Sequence, residues 1–383
     1  MSRWQLTEAE RRDLTELLAA LIRHPSPDPP GDESDIAPFV AERLTALGFR
    51  VETDEFMPGR INVLARIKGG GGPALVFSAH MDTMPTGDGD WRHPPFAAEI
   101  ADGRLYGRGA ADMKGGLAAM IAAAAKLAGS ATPLSGDLVL AFSAGESTGC
   151  IGAKRMLETG ALADAGWLLV SEPTSLDILT AETGALWLEV TAHGETGHAS
   201  GGANPLHTNA IRRLIDFLET LPGDLFQGQM HPLLGQPSLA VNGLHAGHAP
   251  NIAPDRARAT LDIRTLPGQP GNAVIDKLAA MAGDGFSFQV IDDKPPVETP
   301  AGDPFVATCA DALAAVTGAA KAPGGVHYFS DSNVLVPALG IPRVIIGPGE
   351  LGMSGRQDEW VSLDALADAA AVYAEIAART LAD

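Results

Sequence analysis

The sequence predicts an α/β architecture, a mostly parallel sheet flanked by helices, with a smaller α+β domain inserted into it. Three observations predict this. Short continuous apolar runs alternate with longer helical patterns toward both ends of the chain, as expected of parallel strands buried on both faces. The middle of the chain changes to the period-two alternation of antiparallel strands with one solvated face. Finally, 383 residues are too many for one compact core and suggest two domains.

The opening segment, MSRWQLTEAERRDLTELLAALIRH, reads as a charged amphipathic helix without the apolar stretch of a secretory signal. Buried strands are expected at ALVFSA (74–79), DLVLAFSA (137–144), WLLVS (167–171) and RVIIG (343–347). Helices are expected at LAAMIAAAAKLAG (117–129) and SLDALADAAAVYAEIAARTLA (362–382). In the middle, ALWLEVTAHG (185–194) and ARATLDIRTLP (257–267) alternate as half-solvated strands, and NPLHTNAIRRLIDFLETL (204–221) between them reads as a helix. One domain is therefore expected over 1–180 and 293–383, with the inserted one over 181–292. The run GGGG at 69–72 has no Lys-Ser/Thr at the required offset and reads as a turn, not a phosphate loop.

A net charge of −20, with 45% hydrophobic and 19% charged residues, fits a soluble globular chain. It argues against nucleic acid or anionic membrane as partners. No apolar run reaches the roughly 18 residues needed to span a bilayer. Only Cys150 and Cys309 are present, too few for a disulfide framework, so a reducing cytoplasm is the expected location.

Three strand-like runs and one loop before a helix lead to candidate polar groups. His80-Met81-Asp82 follows the first run, Asp112 precedes the helix that begins near Gly116, Glu146 follows DLVLAFSA, and Glu172 follows WLLVS. Ligands of open α/β sheets bind beyond the carboxyl ends of the strands, so these residues can converge. His80, Asp112 and Glu172 form an N,O,O set suited to Zn²⁺ or a similar ion with a position left for water. Asp82, two residues from His80, is placed to hold the imidazole tautomer. Glu146 is then free to act as general base. Singly, each residue has an ordinary reading: H-x-D is common at surfaces, Asp112 can cap a helix, and Glu172 before Pro173 suits a turn. Together at successive strand ends they point to a metal site.

The motifs HMDTMP (80–85), GRGAADMKGG (107–116), AGESTGCIGA (144–153), SEPT (171–174), GHASGGANPLHTNAI (197–211), NIAP (251–254), DIRTLPG (262–268), FSDSN (329–333) and GPG (347–349) occur in that order. The chain thereby resembles, over essentially its whole length, the metallohydrolase family that includes acetylornithine deacetylase, succinyl-diaminopimelate desuccinylase, aminoacylase and glutamate carboxypeptidase. The resemblance implies a catalytic domain with an inserted lid or dimerisation domain, a homodimer, and usually two zinc ions. It implies that His80 binds one metal, that Asp112 bridges both, and that Glu172 completes the first ligand set. Asp82 would orient His80 and Glu146 would be the general base. His198 of the lid would stabilise the tetrahedral intermediate, in its own chain or across a dimer. Arg264 and Asn251 would contact substrate, Arg264 through a carboxylate, although a strand salt bridge suits Arg264 nearly as well.

Two departures stand out. The usual pair of adjacent glutamates is Glu146-Ser147 here, and the usual histidine three residues before the Asp358-Glu359 pair is Gly355. Both ligands that belong only to the second metal are missing, while the first metal's set is intact. A serine hydroxyl is a poor zinc ligand and glycine has no side chain. One divalent ion per chain (Zn, Mn or Co) is therefore expected, with the space near Ser147 and Gly355 left for substrate. Cys150, His327, Glu350 and Asp358 are the side chains near enough in the motifs to rebuild a second site.

The expected function is hydrolysis of an amide-like C–N bond in a small, carboxylate-bearing substrate, one metal activating water and Glu146 serving as base. Three alternatives stand beside it: a di-metal N-acyl amino acid deacylase or peptidase with substitute ligands, a hydrolase that deaminates an unusual and even aromatic amine, and a non-catalytic ligand-binding relative.

Overall fold

The computed structural model describes residues 2–130, 132–201, 208–221, 225–226 and 228–382. The chain forms two compact units, one of residues 1–180, 299–324 and 330–383, the other of residues 181–298 and 325–329.

The first unit is built on a twisted mixed sheet. Strand Gly136–Ser143 lies at its centre, antiparallel to Arg60–Ile67 on one side and parallel to Gly72–His80 on the other. Ala165–Val170 and then Arg343–Ile345 continue the sheet in parallel, and Arg50–Met57 closes the far edge antiparallel. Gly136–Ser143 is buried along its whole length, which explains its unbroken apolar sequence. Helices pack over the sheet. Glu8–Ile22 begins with a Thr7/Glu10 capping box, the reciprocal pairing that satisfies two free amides at a helix start. Leu363–Thr380 is capped by the Ser362 side chain and presents a buried face of alanines, and small residues allow close packing against helix Gly115–Gly129.

The register of this sheet positions the chemistry. His80 ends one parallel strand, Glu146 follows the neighbouring strand by three residues, and Glu172 follows the next by two. All three therefore emerge at one edge. Asp112 arrives from outside the sheet, on the irregular turn Ala110–Lys114. Gly116 lies where the following helix passes closest to the third strand's end: a Cβ there would sit 2.0 Å from Ser171 Oγ.

The second unit is a four-stranded antiparallel sheet in the order Ser238–Ala246, Arg256–Arg264, Ala185–His193, Phe286–Lys294. Its buried face includes Leu188, Val190, Ala257, Ala259 and Leu261 and packs against Leu214, Phe217, Val274 and Leu278 from two helices. The strand alternation anticipated this one-sided burial.

Several expectations change in detail. The helix expected over 204–221 is Ala210–Thr220, capped by Asn209, whose side chain accepts two amides; residues 204–207 lie outside the described residues. Asp112 does not cap the helix behind it: its backbone is extended (φ −127°, ψ 96°), and Lys114 occupies the cap position. The chain leaves the second unit at 298 instead of 292. Strand Phe286–Lys294 runs through the expected boundary, and Val297–Glu298 pairs back onto Ala181 and Glu182. Cys150 and Cys309 are buried and unbridged. Among the described residues no helix is long and apolar enough to cross a membrane.

Candidate metal centre

His80, Asp112 and Glu172 converge although 92 residues of chain separate the first from the last. One donor atom from each lies within 4.8 Å of the others. His80 Nε2 is 3.1 Å from Asp112 Oδ1 and 3.6 Å from Glu172 Oε1. Among the described residues this is the one group of three or more potential side-chain ligands so arranged. His80 Nδ1 is 2.8 Å from the Asp82 carbonyl oxygen. An N–H donated there leaves the Nε2 lone pair facing the two carboxylates, which is the tautomer a metal ligand needs.

Asp82 does this differently from the sequence expectation. Its carboxylate lies 3.6 Å from Nδ1, beyond hydrogen-bond range, and its backbone carbonyl holds the ring instead. The carboxylate accepts the backbone N–H groups of Glu146 and Ser147, both at 3.1 Å. The turn after the strand is short enough that these amides point back toward the neighbouring strand end, where Asp82 receives them.

Charge at the centre is unbalanced without a cation. Burial alone would lower the His80 pKa, but the nearby Asp82, Asp112 and Glu172 outweigh it and raise it well above the ordinary value. Burial would likewise raise Asp112, yet hydrogen bonding and attraction to His80 bring it down. Glu146 is raised well above the usual carboxylate range, first by burial and then, against the pull of His80, by Asp331, Asp82 and Asp112. A buried site with one imidazole nitrogen and two carboxylates facing inward fits a divalent ion, which would relieve this repulsion.

The supports around the ligands were not foreseen from sequence. Glu359 Oε1 accepts the amides of Ala111 and Asp112 at 2.9 and 3.0 Å, and its other oxygen pairs with Arg108. Arg108 also donates to the carbonyls of Pro85, Gly355 and Arg356. The Ser354 hydroxyl donates to Asp112 Oδ2. Behind Glu146, Asp331 is buried and accepts from Ser143; burial pushes its pKa up to about 6. Asp331 lies in the FSDSN motif, but nothing local to it announces a partner 188 positions away.

Ser147 is half-buried beside Glu146, and Gly355 is exposed with φ +72° and open space where a Cβ would lie. The side chains considered as substitutes are committed elsewhere or exposed. Cys150 Sγ faces the Ser330 carbonyl, and Asp358 holds the amides of Arg92 and His93 together with the Arg92 guanidinium. Glu350 and His327 are exposed, His327 within the second unit.

The remaining candidates belong to the second unit. His198 and Asn251 come together where Gly197–His198 pairs with Ile252–Ala253: Asn251 Nδ2 is 3.3 Å from His198 Nε2, and Ser200 Oγ is 2.7 Å from Nδ1. Arg264 is engaged by Asp262, with Nη2 donating to Oδ2 at 3.0 Å and Nε 2.9 Å from Oδ1. The strand salt bridge is thus formed, and the guanidinium also reaches the His327 carbonyl at 3.4 Å.

The sequence profile of peptidase family M20/M25/M40 matches residues 76–379. Succinyl-diaminopimelate desuccinylase of Methylorubrum populi is 33% identical over 397 residues, covering 95% of this chain and 97% of that protein. Among solved structures, an M20 family metallo-carboxypeptidase from Sulfolobus solfataricus shares the fold with a TM-score of 0.80 at 22% identity, covering 97% of this chain and 99% of its own. A dinuclear metal-binding M20 peptidase from Bacillus subtilis matches with a TM-score of 0.75 at 18% identity, covering 98% and 99%.

Proposed function

We propose that this chain, which belongs to peptidase family M20/M25/M40, hydrolyses the amide bond of a small carboxylate-bearing N-acyl substrate using one divalent ion. The observation that carries this reading is the asymmetry of the centre. His80, Asp112 and Glu172 face one point, while the sequence has Ser147 and Gly355 at the two positions where the resemblance expects further ligands, and the Ser354 hydroxyl engages the outer oxygen of Asp112.

His80, Asp112 and Glu172 would hold the divalent ion, which would supply Lewis acidity to polarise an acyl oxygen and acidify water. Glu146 takes the proton from the attacking water and delivers it to the departing amine nitrogen. Asp82 fixes the backbone from which Glu146 projects. His198, held by Asn251 and Ser200, is our candidate donor to the developing oxyanion, and the second unit that carries it our candidate lid and dimerisation domain. Arg264 is our candidate for the substrate carboxylate, at the cost of exchanging its Asp262 partner. The curated desuccinylase relatives make N-succinyl amino acids the first substrates to try.

The test is metal content by elemental analysis, before and after loading, on wild-type protein and Glu146→Gln. One ion in each, with turnover lost only in the variant, is expected. Two ions in the wild type would sink the single-ion mechanism, and undiminished turnover in the variant would remove Glu146 as base.

A further inference from the structure

We propose that Ser354 is a positioning residue of the metal centre. Its hydroxyl engages Asp112 Oδ2, so that this carboxylate presents Oδ1 alone to the ion held with His80 and Glu172. This rests on the single-ion reading above and gives it a physical cause beyond the missing ligands.

The two oxygens of Asp112 have different surroundings. Oδ1 faces His80 Nε2 at 3.1 Å, on the side of the triad. Oδ2 accepts the Ser354 hydroxyl. A carboxylate that bridges two ions through both its oxygens offers one to each. Here the second oxygen already has a neutral donor, and an ion arriving there would have to displace it. That ion would find no carboxylate at Ser147 and no imidazole at Gly355 to offset the lost hydrogen bond and its own desolvation.

The backbone holds the Ser354 hydroxyl near Asp112. Arg108, which with Glu359 supports the Asp112 turn, also donates to the carbonyls of Gly355 and Arg356, at 3.0 and 3.3 Å. Met353 N–H to Glu350 O and Arg356 N–H to Met353 O close successive turns around Ser354. Gly355, at φ +72°, takes the left-handed conformation that lets the chain reverse there. The segment carrying Ser354 and the turn carrying Asp112 are thus joined twice, once through Arg108 and once through the hydroxyl. With its amide also tied to Glu359, Asp112 is held at both its backbone and its outer oxygen.

Loss of a hydrogen-bond partner that orients a ligand typically weakens metal binding by about 10–100-fold. The experiment titrates metal-free, full-length wild type, Ser354→Ala and Ser354→Thr with Mn²⁺ and Zn²⁺ by calorimetry, and records the visible spectrum of each Co²⁺-loaded protein. Ser354 is exposed, so the metal-free proteins should melt together, which serves as the control for folding. The alanine variant should bind its first ion about 10–100-fold more weakly, with an altered Co²⁺ spectrum, and threonine should restore both. Wild-type affinity and spectrum in the alanine variant would overturn the proposal, as would an equal loss in the threonine variant. Two ions in the wild type would defeat the single-ion reading and the claim that Asp112 presents Oδ1 alone, while the first ion's affinity and spectrum would separately report whether Ser354 positions the carboxylate.

Discussion

Asp82 and Glu146 are joined through the backbone: Asp82 Oδ1 accepts the Glu146 N–H at 3.1 Å, while the Asp82 carbonyl lies 2.8 Å from His80 Nδ1. One residue therefore holds the Glu146 backbone with its side chain and the His80 imidazole with its main chain. Asp82→Ala should keep the His80 tautomer, because the carbonyl remains, and release the Glu146–Ser147 turn. The expected outcome is a fall in kcat of about 100-fold, the scale of a displaced general base, with a smaller change in metal affinity. An equal loss of both would place the carboxylate's role at the metal instead.

Asp331 bears on Glu146 by charge. After burial, it is the first of the carboxylates that raise the Glu146 pKa. As the proposed general base, Glu146 must be ionised to accept a proton, so activity should rise with pH through its pKa. Removing a nearby negative charge lowers that pKa, and the acid limb of kcat/KM should move to lower pH in Asp331→Asn loaded with the same ion. An unmoved limb would mean that Asp331 and the base do not communicate.

Placing a glutamate at 147 and a histidine at 355 tests the proposed single-ion reading directly. A Cβ at Gly355 meets only Met84 Cγ, at 3.9 Å, so a side chain can start there without a clash at its Cβ. The left-handed backbone there (φ +72°) is one that histidine adopts more readily than most residues. The double variant Ser147→Glu/Gly355→His should bind a second ion, and the triple variant with Ser354→Ala should bind it more tightly. Failure of both to exceed one ion per chain, measured by calorimetry, would count against the assignment of these positions.

Lys114 is buried and donates to the carbonyls of Leu21 and His24 at 3.1 and 2.8 Å. Burial brings its pKa down to about 7, despite the raising influence of Glu359, Asp82 and Asp35. The unfolded chain keeps this proton up to the ordinary value of 10.5. Between pH 7 and 10.5 the unfolded state therefore binds more protons, and this group's contribution makes stability rise with pH. Below pH 7 both states are protonated and the contribution is flat. Melting temperatures from pH 7 to 10 should climb less steeply in Lys114→Met than in the wild type. Parallel curves would show that the ammonium is not desolvated as the structure implies.

Much of the architecture was legible because it is written in local periods. The unbroken apolar run at Gly136–Ser143 and the alternation at Arg256–Arg264 each reflect how many faces of a strand are buried. His80, Glu146 and Glu172 could be named for the same reason, since each follows a strand whose end is visible in the sequence. Asp112 could be named, but not its setting: an extended residue on an irregular turn looks in sequence like a helix cap.

The tertiary structure alone decided what surrounds those ligands. Ser354 and Asp112 are 242 positions apart, Glu359 and Asp112 247, Asp331 and Ser143 188, and no local period relates them. It also assigned the imidazole to Asp82's carbonyl and the base turn to its carboxylate, a division that the spacing of an H-x-D motif leaves open. Periodicity records which face of an element is buried. Which donor meets which acceptor depends on the register of separate strands and on the turns that join them, and these are set only when the sheet and its covering helices pack.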